Sequence, residues 1–228
     1  MKRIVKPELL DDLPPADSRA IQSRRDLQRL NFFMGSVGIV ERKLDGIFPN
    51  EPPQKIVDIG AGDGTFMLQL AKRFSNRWRN VEVVLVDQQD IVSPDTKEKY
   101  SQLGWGAKII SADVFDWLSR CEDVDCILTN LFLHHFESEK LSRLLQLVSI
   151  KTKIFLACEP RRSFAGTIGT KLVWLIGCNS VTRHDAPVSV RAGFRDKEIS
   201  ELWPGNGNWE IEEGRAGVFS QAFVAARL

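Results

Sequence analysis

Apolar residues recur along this chain in two rhythms. Short continuous runs, Ile56-Val57 with Ile59, Val81 to Val86, Ala107 to Ser111, Val124 to Thr129 and Lys153 to Cys158, have strand length and, in the second, a dense β-branched content. Between them lie segments with apolar positions three and four apart, such as Phe66, Met67, Leu70 and Ala71, or Leu141, Leu144, Leu145 and Val148, which is the helical period. Runs that stay apolar belong to strands buried on both faces, and their alternation with helices predicts a parallel sheet covered on both sides. The chain ends differently: Trp209 to Glu213 and Phe219 to Arg227 flank Gly214 and Gly217, which predicts an antiparallel hairpin.

The same pattern divides the chain. Pro7, Pro14 and Pro15 mark an extended arm; Asp17 or Ser18 then caps a helix carrying Ile21, Leu27, Leu30 and Phe33. A second helix over Val37 to Phe48 is stopped by Pro49, Pro52 and Pro53. Residues 1–53 therefore read as an arm and helical cap, and residues 54–228 as the sheet domain. Within the latter, 163–194 is an insertion before an amphipathic helix Asp196 to Trp203. It holds an apolar helical piece, Ile168 to Ile176, then a Gly-Cys-Asn turn and Val181-Thr182-Arg183-His184-Asp185. The cap is either edge packing or a lid, and the insertion either walls a pocket at the strand ends or covers the sheet.

The stretch Lys55 to Thr65, KIVDIGAGDGT, carries the first chemistry. A strand runs into glycines at alternate positions, Gly60, Gly62 and Gly64, and a helix opens directly after them. Glycine lets the backbone take positive φ and lets a ligand lie against it, while the helix start presents unpaired N–H groups. Thr65 stands where a dinucleotide fingerprint needs its third glycine, and Asp58 and Asp63 suit a ligand with positive charge and hydroxyls better than a pyrophosphate. Asp87 closes the second strand, where a carboxylate can accept both hydroxyls of a ribose.

With these residues the chain resembles the class I S-adenosylmethionine (SAM)-dependent methyltransferases, over roughly residues 54–228. The resemblance implies an α/β fold: a Rossmann-like seven-stranded sheet, mostly parallel, with a C-terminal antiparallel hairpin and here an N-terminal helical cap. It implies S-adenosyl-L-methionine as cofactor, held by Asp58, Gly60, Ala61, Gly62, Gly64, Asp87, Gln88, Asp113, Val114 and Asn130. In that family Asp113 would meet the adenine amino group and Val114 would pack on the ring, although Asp113 is also placed to cap the helix after it. The segment Asn130-Leu-Phe-Leu-His134-His135-Phe136 resembles that of small-molecule methyltransferases and lacks the Asn-Pro-Pro-aromatic signature of amide and adenine nitrogen methylation.

A hydroxyl acceptor needs its proton removed, so the candidate bases are His184, beside Asp185 and near Arg183 and Arg191, and the pair His134 and His135. Against that stands ordinary packing for the pair and a turn cap for Asp185. The EPRRS and VTRHD segments resemble bacterial methyltransferases of secondary metabolism, which implies a phenolic or lipid-like hydroxyl on a small-molecule acceptor. Two other readings stay open: an NAD(P)-dependent oxidoreductase, and a methyltransferase-like binding protein without catalysis.

Composition narrows the partners. The 228 residues fit one α/β domain with additions, and a net charge of +1 gives no electrostatic reason to expect nucleic acid. Cys121, Cys126, Cys158 and Cys178 have no metal-ligand spacing, so reduced thiols and no metal are expected. Leu172 to Cys178, the most apolar stretch, is too short to span a bilayer, so no stable membrane insertion is expected. No leader-like apolar core opens the chain, and a soluble cytoplasmic protein is the expectation.

Overall fold

The computed structural model describes every residue but Asn206, with Leu172 in its backbone only. Three helices lead: α1 (Leu9–Asp12), α2 (Ser18–Met34) and α3 (Ser36–Ile47). Asp17 caps α2 by accepting from the Arg19 N–H at 2.8 Å, and Gly35, at φ 69°, breaks the chain between α2 and α3. Then β1 (Lys55–Ile59), α4 (Thr65–Phe74), β2 (Glu82–Asp87), α5 (Pro94–Gln102), β3 (Gly106–Ser111), α6 (Val114–Arg120), β4 (Val124–Asn130), α7 (Ser138–Lys151) and β5 (Thr152–Pro160) alternate. The helices α8 (Phe164–Leu172) and α9 (Ser180–Ala192) precede the hairpin of β6 (Trp209–Ala216) and β7 (Ser220–Arg227).

Among the described residues the strands form one seven-stranded sheet in the order β3-β2-β1-β4-β5-β7-β6. The first five pair in parallel, β7 runs antiparallel to β5, and β6 antiparallel to β7. This is the class I methyltransferase arrangement of a Rossmann-like sheet. Side chains alternate across it. Ile56, Val83, Leu85 and Leu128 bury against α3, α4 and α5, whereas Val57, Val84, Val86 and Ile127 bury against α6 and α7. Because both faces are covered, the strands read as continuous apolar runs. The reversal of strand order between β1 and β4 opens a crevice at their carboxyl ends, and the glycine turn and the loops after β2 and β4 gather there.

Three local differences separate the structure from the sequence reading. The helix expected over Asp196 to Trp203 is only a 3₁₀ turn, Ser200–Leu202. Asp196 sits at φ 55°, off the helical path, and the Glu213 carboxylate takes the N–H groups of Ile199 and Ser200, which holds the turn short. The VTRHD segment, given no element from the sequence, lies inside α9, with Asn179 capping that helix and Pro187 tolerated within it. Finally, α5 appears where no helix was expected, although Ser93 as cap and Pro94 at the first helical position were its signal.

Candidate active site

At the end of β1 the three glycines all take positive φ: 72° at Gly60, 54° at Gly62 and 73° at Gly64. Two of them also face crowding. A Cβ on Gly60 would lie 2.3 Å from the Phe132 ring and one on Gly64 2.8 Å from Leu85, so Gly64 sets close helix-to-strand packing. Gly62 has nothing within 4 Å and opens onto free space. Asp87 ties the turn to β2: its carboxylate accepts from the Gly62 N–H at 2.8 Å and from the Gln89 N–H at 2.9 Å. Asp58 is buried beneath, and that burial, with Asp87 nearby, pushes its carboxyl well above the usual carboxylate range.

The third strand end supplies Asp113, which caps α6 by accepting from the Phe115 and Asp116 N–H groups and takes a 3.0 Å hydrogen bond from Gln88 Nε2 on its other oxygen. Asn130 donates to Asn31 Oδ1 at 3.0 Å, but its own Oδ1 is buried without a partner among the described residues. Asp58, Gly60, Ala61, Gly62, Asp87, Gln88, Val114 and Asn130 line one cavity of about 640 Å³. Gly64 and Asp113 stand behind that lining.

The three histidines part company. His134, in the 3₁₀ turn Leu133–His135 after β4, is buried with Nδ1 2.8 Å from Glu159 and Nε2 3.4 Å from Glu8. Burial opposes its charge, but the hydrogen bond to Glu159 and the nearby Glu8 carboxylate outweigh that and raise its pKa to about 9. Burial likewise works against a charged Glu8, yet His134 beside it, together with the Ser189 hydroxyl that donates to it, brings that carboxyl down to about 2. His134 is therefore an imidazolium between two carboxylates, which holds the arm and is no base at neutral pH. His135 lines the cavity, its Nδ1 3.2 Å from Asp11 Oδ2. His184 is half exposed and lies outside the cavity lining; its partner Asp185 accepts from the Leu9 and Leu10 N–H groups at 2.9 and 3.0 Å and so caps α1 rather than a turn.

Sequence reasoning found no ligand cluster for a metal, yet folding brings Glu8, His134 and His135 together with one donor atom each within 4.8 Å of the others. Glu8 comes from the arm and the histidines from the fourth strand's exit, so no spacing reveals the group. It also missed Glu8, Asp11 and Glu159. Glu159 had a signal, since it stands at a strand's carboxyl end like Asp87, and it accepts from the Phe132, Leu133 and His134 N–H groups. Glu8 and Asp11 had none.

The far wall of the cavity is apolar and comes from distant segments: Leu27, Leu30 and Phe33 of α2, Phe136, Val190 of α9, and Phe219. Polar ties hold α2 over it. Gln28 donates to Asp63 in the glycine turn at 2.8 Å, Asn31 accepts from Asn130, and Arg29 donates to Ile176 O at 2.7 Å.

A sheet of this order with a glycine turn and acids at its strand ends defines a Rossmann-like domain. Residues 56–150 match the family described as "Methyltransferase domain". In that stretch and in its fold the chain is similar to the class I SAM-dependent methyltransferases. No curated protein matches it by sequence. Among solved structures it is similar to a plantazolicin methyltransferase in complex with SAH, at 15% identity and TM-score 0.67, covering 93% of this chain and 92% of that one. The magnesium protoporphyrin IX methyltransferase of Synechocystis PCC 6803 with bound SAH matches at 15% identity and TM-score 0.59 over 96% of this chain and 91% of that one. An O-methyltransferase family protein from Burkholderia thailandensis matches at 15% identity and TM-score 0.61, over 93% of this chain and 60% of that one. At such identities these likenesses speak for the fold.

Proposed function

We propose that the protein binds SAM at the glycine turn and methylates a hydroxyl of an apolar, phenolic or lipid-like small molecule held beneath α2. The supporting observation is a single cavity that reaches from Gly62 and Asp87 to His135 under an apolar roof. SAH bound in two of the similar structures supports the choice of cofactor. The residues present fit it: the orphaned Asn130 Oδ1 and the buried Asp58 await a cationic, hydrogen-bonding group, and Gly62 leaves room for one against the main chain. Asp87 would take the ribose hydroxyls on its remaining lone pairs, and Val114 the base.

When bound, SAM supplies a sulfonium methyl that an acceptor oxygen takes in line, the C–S electron pair leaving on sulfur. The chain's own part is positioning, exclusion of water and removal of one proton. His135 is the base in this reading. His134 already carries its proton between Glu8 and Glu159, and His184 stands outside the cavity. Asp11, against His135 Nδ1, fixes the tautomer that leaves Nε2 free to take the acceptor's proton. The aliphatic and aromatic roof excludes water around the acceptor.

Calorimetry with S-adenosylhomocysteine and NADH, followed by turnover with SAM on alkylated phenols, tests this. We expect SAH to bind, NADH not to, and Asp87→Ala to weaken SAH by about 1.5–3 kcal/mol for each charged hydrogen bond lost. Binding of NADH alone would return the protein to the oxidoreductases. SAH binding with turnover only on a nitrogen or carbon acceptor would remove the hydroxyl chemistry.

A further inference from the structure

The surface beside the cavity carries a feature that methyl transfer does not use. On α8, Phe164 and Ile168 stand one turn apart, and Trp174 and Leu175 follow where that helix ends. All four are exposed, Phe164 at 77% and Trp174 and Leu175 at 60% each. None of them lines the cavity. Across the tie from Arg29 to Ile176, the end of α2 adds Phe32, 79% exposed, with its ring against that of Phe33. Phe33 itself reaches the cavity. The exposed apolar side chains thus stand beside the cavity-lining residues Gly169, Val173, Ile176 and Phe33, a concentration that isolated surface residues do not give.

Next to this rim is a second hollow of about 340 Å³, which shares Thr170 and Val173 with the cavity wall. Lys171, Arg183 and Arg191 line it together with Trp174, and no carboxylate does. Among the described residues none of the three cations forms an ion pair, although the chain as a whole is nearly neutral. Exposed aromatic and aliphatic tips flanked by unpaired cations match the chemistry of an anionic lipid surface, where apolar groups enter the acyl boundary and cations meet headgroups. A second copy of the chain fits poorly, because a two-fold interface on this face would bury two uncompensated cation clusters in one patch.

We propose that the α8–α9 face docks on anionic bilayers and opens the cavity mouth toward the membrane. An apolar hydroxylated acceptor then passes from the bilayer to the site without crossing water. Docking of this kind is peripheral: among the described residues no helix is long and apolar enough to cross a membrane. The inference deepens the lipid-like reading of the acceptor, but vesicle binding can be measured without any methyl transfer.

The test is flotation of the full chain with vesicles of phosphatidylcholine containing or lacking phosphatidylglycerol. The wild type should float with the anionic vesicles, stay behind with the neutral ones, and detach as salt rises. Lys171→Gln/Arg183→Gln/Arg191→Gln should lower the partition coefficient roughly a hundredfold, at about fivefold for each cation. Trp174→Ser/Leu175→Ser should lower it at least tenfold. Both variants should keep the wild-type SAH affinity, which shows that they are folded. Absence of flotation by the wild type, or equal flotation by the variants, overturns docking. So does a concentration-dependent dimer that Trp174→Ser/Leu175→Ser breaks, because the face then belongs to a second copy. Failure of SAH to bind the wild type would strike the cofactor reading instead and leave the vesicle result standing.

Discussion

The two halves of the cavity are built in opposite ways. On the cofactor side, Asp58, Gly60, Gly62, Asp87 and Val114 sit at or just past the ends of adjacent parallel strands, fixed by backbone pairing and by Asp87 gripping two turns. On the acceptor side the wall is gathered from α2, the turn after β4, α9 and Phe219, and is held by a few polar ties such as Gln28 to Asp63. The sheet makes one half rigid and locally encoded. The appended helices build the other half from segments outside the sheet, which in the proposed reading is where acceptor specificity is carried.

If that division is right, damage to the acceptor half should spare cofactor binding. His135→Gln should lower kcat by a factor of about 10²–10⁴, the usual weight of a general base, while SAH affinity by calorimetry stays at the wild-type value. Asp11→Asn should lower kcat less and leave KM near the wild-type value, as expected of a residue that acts through His135. An unchanged kcat in His135→Gln would return the proton to solvent and leave His135 a packing residue.

A cut at the seam tests the comparison from the other side. His134→Gln removes the cation between Glu8 and Glu159 and leaves two buried carboxylates facing each other, a loss of about 3–5 kcal/mol by analogy with other broken buried pairs. The pH dependence has a definite sign. With a folded pKa of about 9, above the unfolded 6.5, the His134 contribution is complete below about pH 6.5 and disappears as pH rises through 9. Arg3, which donates to the carbonyls of His134 and Phe136, shares this anchorage of the arm. Urea titrations from pH 6 to 10 should show a steeper loss of stability in the wild type than in His134→Gln, and parallel curves would deny His134 its charge.

The same contrast explains what could be read from the chain. Strand runs, the glycine turn and Asp87 follow from local spacing, and the structure puts Asp58, Gly62, Asp87 and Asn130 together in one cavity. The acceptor side does not follow, because Glu8, Asp11, His135 and Glu159 meet only when the arm folds back across the strand ends. His184 drew attention for its neighbour Asp185, yet that carboxylate is spent on capping α1. The adjacent pair does form, with His184 Nδ1 2.9 Å from Asp185 Oδ1, but His184 is exposed and stands outside the cavity lining that Asp185 reaches. The 3₁₀ turn at Ser200–Leu202 was equally invisible, since it depends on Glu213 from β6.

The smallest expected effect probes the rigid half alone. Burial and the neighbouring Asp87 hold the Asp58 carboxyl well above the usual range, so the free protein keeps a proton there that water would have taken. A ligand bringing an ammonium group to that carboxylate favours its ionised form, and binding must then release the proton. By linkage the affinity for S-adenosylhomocysteine rises with pH, by at most tenfold per unit, and levels off once Asp58 is ionised in the free protein. Calorimetry in two buffers of different ionisation enthalpy should count up to one proton released in the wild type and none in Asp58→Asn. Because Asp58 lies under the glycine turn and far from the acceptor wall in sequence, the count should be the same with α2 variants such as Gln28→Ala. A proton count that changes with α2 would mean that the two halves are coupled, and that the lid helps to set the charge of the cofactor site.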